Sequence, residues 1–122
     1  MDQFLICEDD VDMQDFLNAF LHTMGYEYQI VEKGEEVLPI LQDKSMKLLL
    51  LDLNLPDMDG KEVVRLVRND PACKDIPIYI FSASISISQA ARDLPVNGFI
   101  SKPFELDELE RVINNNLGKA AG

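Results

Sequence analysis

Short apolar runs punctuate the chain, and each one stops at polar or charged residues. Leu48-Leu49-Leu50-Leu51 shows no polar alternation, as suits a central strand of a parallel sheet covered on both faces, and it ends in Asp52. Phe4-Leu5-Ile6-Cys7 follows the same grammar and stops at Glu8-Asp9-Asp10. Ile78-Tyr79-Ile80-Phe81 runs into Ser82-Ala83-Ser84, and a last brief strand, Phe99-Ile100 after Gly98, precedes Ser101-Lys102-Pro103. Residues 26–31 read as a further strand by their aromatic and β-branched content, closed by Lys33-Gly34.

Between these runs the apolar spacing turns helical. Val11, Phe16, Leu17, Phe20, Leu21 and Met24 fall on one predicted face, with Asp10 as N-cap and Gly25 as stop. In 35–42 the spacing is again helical, but Pro39 lacks a backbone donor, so that helix either starts late with Pro39 in its first turn or bends there. Val63, Val64, Leu66 and Val67 predict a helix over 61–69, stopped by Asp70-Pro71. Residues 85–88 alternate with period two while 89–94 look helical and end at Pro95, which predicts a short helix in a segment of conflicting signals. Leu106, Leu109, Val112, Ile113 and Leu117 mark a closing helix, and 118–122 are expected to fray.

Five strand and helix alternations argue for an α/β fold, a parallel sheet with helices on both faces and right-handed crossovers. In such sheets ligands bind outside the carboxyl ends of the strands. Glu8 with Asp9, Asp52, Ser82 and Lys102 all stand at predicted strand ends and are expected to converge at one edge.

With 122 residues and 47% hydrophobic content the chain is expected to form one domain, with a core over about 4–117. A formal charge of -11 argues against direct binding to nucleic acid, whose phosphates it would repel. Cys7 in an apolar run and Cys73 in a polar loop fit neither a disulfide framework nor a metal cluster, so a reduced, cytoplasmic protein is expected. No apolar stretch approaches membrane-spanning length, and no insertion into a membrane is expected. The single histidine, His22, sits on a helix and is read as an ordinary surface residue.

Carboxylates gathered at one edge repel, and burying them uncompensated would cost several kcal/mol. Lys102 supplies one positive charge. A hard divalent cation supplies two and prefers oxygen ligands, which makes Mg²⁺ the expected ion. Lys102, the Ser82 hydroxyl and backbone N–H groups near Ala83 are suited to phosphoryl oxygens, and Asp52 is placed to attack phosphorus and form an acyl phosphate. Taken singly, these residues have plainer readings: Glu8-Asp9-Asp10 as a helix cap cluster, Asp57 and Asp59 as turn formers, Lys102 as a solvated charge.

Glu8-Asp9, Asp52 followed by Asn54-Leu55-Pro56-Asp57-Met58-Asp59-Gly60, Ser82-Ala83 and Lys102-Pro103-Phe104 together resemble the receiver domains of two-component response regulators, from Phe4 to Leu117. The resemblance implies a three-layer, doubly wound, flavodoxin-like fold with strand order 2-1-3-4-5. It implies that Asp52 accepts a phosphoryl group from the phosphohistidine of a histidine kinase or phosphotransfer protein. Asp9, Asp52 and the Asn54 main-chain carbonyl would ligate Mg²⁺, with Glu8 acting through water. Lys102 would pair with the phosphoryl group, the Ala83 N–H would bind it, and Ser82 would close onto it. A cis peptide before Pro103 is likewise implied, and Ser84 and Asn54 would flank the path of attacking water. A chain of this kind is not an enzyme beyond its own phosphorylation and dephosphorylation, and it signals to a downstream protein that the sequence does not name.

Three features depart from the usual pattern. Phe99 stands where many receivers carry a switching tyrosine, Ser82 replaces a commoner threonine, and the segment between Ser82 and Lys102 is compact. They leave the phosphorylation chemistry intact but bear on the surface around the 89–94 helix and the last strand. One alternative is therefore a receiver-like interaction module independent of phosphorylation. A Mg²⁺ phosphohydrolase with an aspartyl nucleophile is a third class, and Asn54 stands where such enzymes usually carry a second acid.

Overall fold

A computed structural model of the chain describes residues 3–82, 93–102 and 105–117, with the Ser82 side chain excepted. Five strands, β1 (Phe4–Cys7), β2 (Tyr28–Val31), β3 (Leu49–Asp52), β4 (Ile78–Ser82) and β5 (Gly98–Ser101), form one all-parallel sheet in the order β2-β1-β3-β4-β5. Helices α1 (Val11–Thr23), α2 (Val37–Asp43) and α3 (Gly60–Arg68) and the C-terminal helix (Leu106–Leu117) cover it.

The apolar runs explain the three layers. Successive side chains of a strand point to opposite faces, so a run without polar alternation supplies two cores at once. Leu5, Cys7, Leu49, Leu51, Ile78 and Ile80 face α2 and α3, meeting Val37, Leu41, Val63, Val64 and Val67. Phe4, Ile6, Leu50, Phe81 and Ile100 face the other way, against Leu17 and Leu21 of α1 and Leu109, Ile113 and Leu117 of the C-terminal helix. Among the described residues no helix is long and apolar enough to cross a membrane.

Several local expectations hold. Asp10 caps α1 by accepting the Asp12 N–H at 2.9 Å, and Gly25, at φ 80°, follows the helix. The helix carrying Pro39 starts late: a 3-10 turn over Gly34–Glu36 precedes α2, and Pro39 is the third residue of α2, where a missing N–H costs no intrahelical bond.

Others are corrected. Only Leu17 and Leu21 of the apolar residues assigned to the α1 face are fully buried, with Phe20 partly so, while Val11, Phe16 and Met24 are exposed. Val11 and Phe16 lie about 120° and 100° around the helix from Leu17, outside the stripe that meets the sheet, and Met24 lies past the last helical turn. The second strand begins at Tyr28 rather than Tyr26, because the Tyr26 N–H is used by the Leu21 carbonyl at the end of α1. Cys73 lies in the loop between α3 and β4 as expected, but its side chain joins the core: it is buried beside α3, and its thiol faces the Val67 carbonyl at 3.8 Å. The segment of mixed periodicity, 85–92, and the tail 118–122 lie outside the described residues.

This division predicts opposite outcomes for two truncations. Leu50→Ala, in the middle of β3, should lose about 2–5 kcal/mol of unfolding free energy in urea titration, whereas Val11→Ser should stay within about 0.5 kcal/mol of wild type.

Candidate functional site

The register sets the site before any side chain is considered. Cys7 pairs with Leu51 and Asp52 with Phe81, so Glu8 and Asp9 leave β1 next to the carboxyl end of β3, while Ser82 pairs with Ser101 immediately before Lys102. Glu8 is fully buried, Asp52 is nearly so, and Asp9 is exposed at the rim.

The Lys102 ammonium joins the two buried acids. It donates to Glu8 Oε1 at 2.5 Å and to Asp52 Oδ2 at 3.1 Å, and it lies 5.8 Å from the centroid of the Phe81 ring. Each acid has a backbone donor too. Asp10 N–H reaches Glu8 Oε2 at 3.2 Å, and Asn54 N–H reaches Asp52 Oδ1 at 2.9 Å. The Gln14 amide of α1 donates to the Glu8 carbonyl at 2.6 Å. No buried side-chain polar atom among the described residues lacks a partner.

The electrostatics follow from burial and proximity. Burial pushes the Glu8 carboxyl above the ordinary glutamate range; the Lys102 hydrogen bond opposes the rise and the Asp52 charge adds to it. Burial alone would lower the Lys102 ammonium, but the Glu8 hydrogen bond and the charges of Asp52 and Glu8 outweigh it and raise the net value. Below the site, burial and the surrounding carboxylates push the Cys7 thiol far up, which keeps it neutral and unreactive.

Carboxylate oxygens of Glu8, Asp9 and Asp52 all lie within 4.8 Å of one another. Oxygens around an octahedral Mg²⁺ ion stand about 3 Å apart when adjacent and about 4.2 Å apart when opposite, so a cluster this compact suits one ion held directly by some of the acids and through water by another. Three carboxylates against one ammonium also leave an excess of negative charge. The donor set and its charge fit a hard divalent cation.

The loop after Asp52 is held close to the strand. Gly60 donates its N–H to the Leu53 carbonyl at 3.0 Å, and Asn54 and Asp59 form an isolated antiparallel bridge. A Cβ at Gly60 would lie 2.6 Å from Leu53 Cα and 2.8 Å from the Asp52 carbonyl oxygen, both backbone atoms, so only glycine allows this approach.

Of the residues singled out in the sequence, Glu8, Asp9, Asp52 and Lys102 come together, and Asn54 joins them through its N–H. Phe99 is half-buried in β5, two strands from Asp52, and packs against the α2–α3 side of the core. Ser82 ends β4, but its side chain, together with Ala83, Ser84, Pro103 and Phe104, lies outside the described residues. Asp57 and Asp59 are more than turn formers. Asp59 caps α3 through the Lys61 N–H, and Asp57 accepts from Gly34 and Glu35 across the surface. Nothing local in Pro-Asp-Met-Asp-Gly signals the second contact, since its partners are more than twenty residues away.

Residues 4–114 match the family described as the response regulator receiver domain. The chain belongs to that family. A relative, the regulatory protein LuxO of Vibrio vulnificus, is 32% identical over 116 residues, which is 93% of this chain but 25% of LuxO, so the receiver spans about a quarter of that protein. Among solved structures, the receiver domain of a sensor histidine kinase from Pseudomonas aeruginosa, with a magnesium ion coordinated in its active-site cleft, superposes with a TM-score of 0.87. It is 24% identical, over 96% of this chain and 98% of that one. The receiver of yeast Ssk1, in complex with the histidine phosphotransfer protein Ypd1, superposes with a TM-score of 0.83. It is 25% identical, over 99% of this chain and 92% of that one. The flavodoxin-like topology that the family resemblance implied is the one observed, and the chain is a receiver of two-component signalling.

The buried pair gives a pH prediction. Because folded Glu8 holds its proton more tightly than the unfolded chain does, its contribution to stability falls as pH rises from the ordinary glutamate value through the raised one, and Glu8→Gln should remove that slope in urea titrations. Lys102→Met leaves Glu8 buried without its cation and should lose about 3 kcal/mol or more at neutral pH without added metal, with the loss shrinking in acid.

Proposed function

We propose that Asp52 accepts a phosphoryl group from the phosphohistidine of a histidine kinase or phosphotransfer protein, with Mg²⁺ bound beside it, and that the phosphorylated receiver signals by contact with another protein. The observation that carries this reading is the single ammonium of Lys102 shared between the buried Asp52 and Glu8 carboxylates, with the exposed Asp9 carboxylate beside them.

An Asp52 carboxylate oxygen attacks phosphorus while the bond from phosphorus to the donor imidazole breaks. The imidazole nitrogen keeps the bonding pair and takes a proton, and an acyl phosphate remains on Asp52. Lys102 already touches the nucleophile and moves from Glu8 toward the phosphoryl oxygens as charge gathers there. Asp9, Asp52 and the Asn54 main-chain carbonyl would hold Mg²⁺, with Glu8 acting through water. When bound, the ion supplies two positive charges against the phosphoryl oxygens. The Ser82 hydroxyl and the Ala83 N–H would complete the phosphoryl site, as the family resemblance implies, and Ser82 would shift onto the group once it is transferred. Phe99 brings bulk but no hydroxyl to the switch position, so its movement would be driven by packing alone.

The remaining assignments belong to the same proposal. A reducing cytoplasm suits the two free cysteines, and a formal charge of -11 favours a protein over nucleic acid as the downstream partner. The chain's only chemistry would be the gain and loss of its own phosphoryl group.

Incubation with acetyl phosphate and Mg²⁺ should add one phosphoryl group by intact mass, and Asp52→Asn should abolish the addition. No addition to wild type would favour a phosphorylation-independent interaction module, and rapid turnover of unrelated phosphate esters would favour a hydrolase. A metal ion that binds only the folded chain stabilises it, by about 2.7 kcal/mol at 100 times its dissociation constant, so Mg²⁺ should raise the melting temperature. An unchanged melting temperature would remove the metal from the account.

A further inference from the structure

We propose that Asp57 is a positioning residue for the metal side of the site, a clasp that holds the loop carrying Asn54 by tying it to the turn after β2. The inference rests on the Mg²⁺ assignment proposed above and concerns a residue with no contact to Asp52.

The loop from Leu53 to Gly60 must place the Asn54 carbonyl beside Asp52 and Asp9. Three of its restraints are internal to β3 and its own continuation: the Asn54 N–H on Asp52 Oδ1, the Gly60 N–H on the Leu53 carbonyl, and the bridge between Asn54 and Asp59. They fix the ends of the loop but leave its outer limb, 55–58, to be held from elsewhere. Asp57 reaches across to a different crossover. Its Oδ1 accepts the Gly34 N–H at 2.8 Å and its Oδ2 accepts the Glu35 N–H at 2.9 Å.

These two N–H groups open the 3-10 turn Gly34–Glu36, where backbone donors have no partner within the turn. A carboxylate satisfies both, and it is favoured there by the direction of the peptide dipoles. Burial acts to raise the Asp57 carboxyl, but the bonds from Glu35 and Gly34 outweigh it and hold the group below the ordinary aspartate range, so it stays ionised near neutral pH. The next residue completes the clasp. A Cβ at Gly34 would lie 2.6 Å from Met58 Cγ and 2.8 Å from Val63 Cγ2, so the absence of a side chain there lets Met58 settle against the turn.

The turn is itself anchored. Glu36 Oε1 accepts the Lys33 N–H at 3.0 Å, and Val37 and Leu41 of α2 are buried against the sheet. Asp57 therefore couples the outer limb of the Asn54 loop to a fixed part of the fold. Without it, Asn54 keeps its bond to Asp52 while its carbonyl explores more orientations, and the cost falls on binding an ion that accepts only near-ideal octahedral geometry.

Mg²⁺ titration of the whole chain by calorimetry tests this, with three variants beside wild type. Asp57→Ala should raise the Mg²⁺ dissociation constant at least threefold. Asp57→Asn keeps one acceptor oxygen and should fall between Asp57→Ala and wild type. Asp70→Ala is the control for simple loss of stability, because Asp70 likewise accepts two hydrogen bonds, from the Ala72 N–H and the Gln42 amide, but at the far end of α3. It should leave the dissociation constant within a factor of 1.5 of wild type. A wild-type constant in Asp57→Ala, or an equal loss in Asp70→Ala, would overturn the clasp. Wild type that takes up no Mg²⁺ would instead overturn the metal assignment, and the clasp with it.

Discussion

One ammonium group between two buried carboxylates constrains the carboxyl edge of the sheet. Glu8 and Asp52 are out of water, and two such charges side by side would be costly without a cation in hydrogen-bonding contact with both. Lys102 meets that need from the end of β5, passing over the Phe81 ring of β4 to reach acids on β3 and β1. The strand order makes this possible. With β1 and β3 adjacent at the centre, their two acids become neighbours, and the long lysine side chain spans the strand between. In the proposed reaction the same arrangement would serve the chemistry, because the Asp52 charge is offset by a group that can follow it onto a phosphoryl oxygen.

Much of this was legible in the sequence because it depends on period and position. Uninterrupted apolar runs mark strands covered on both faces, and the residue that ends each run is the one delivered to the functional edge. Asp52, Glu8, Asp9 and Lys102 could be named on that ground alone. The first helix was less legible, since a stripe of six apolar positions is wider than the line of contact two layers can offer. Val11 and Phe16 share the composition of the core without sharing its face. Cys73 misled in the opposite direction, because the polar residues around it conceal a buried thiol packed beside α3.

The contacts that could not be read are those made between loops. Asp57 looks like a turn former from its neighbours, and its partners, Gly34 and Glu35, belong to another crossover altogether. Period and propensity report how a segment folds upon itself or against a layer, not which backbone donors of a distant turn await an acceptor. Gly60 is intermediate. Its place in the turn was evident, but its need to approach the Asp52 backbone more closely than any side chain allows appears only in three dimensions.

The central claim is that this edge exists to carry a phosphoryl group on one particular carboxylate. Borohydride reduction of the chain after exposure to acetyl phosphate and Mg²⁺ converts an aspartyl phosphate to homoserine, and peptide mass mapping then locates it. The account predicts homoserine at position 52 and at no other carboxylate. Homoserine at Asp9, Asp57 or another acid, with Asp52 untouched, would contradict it.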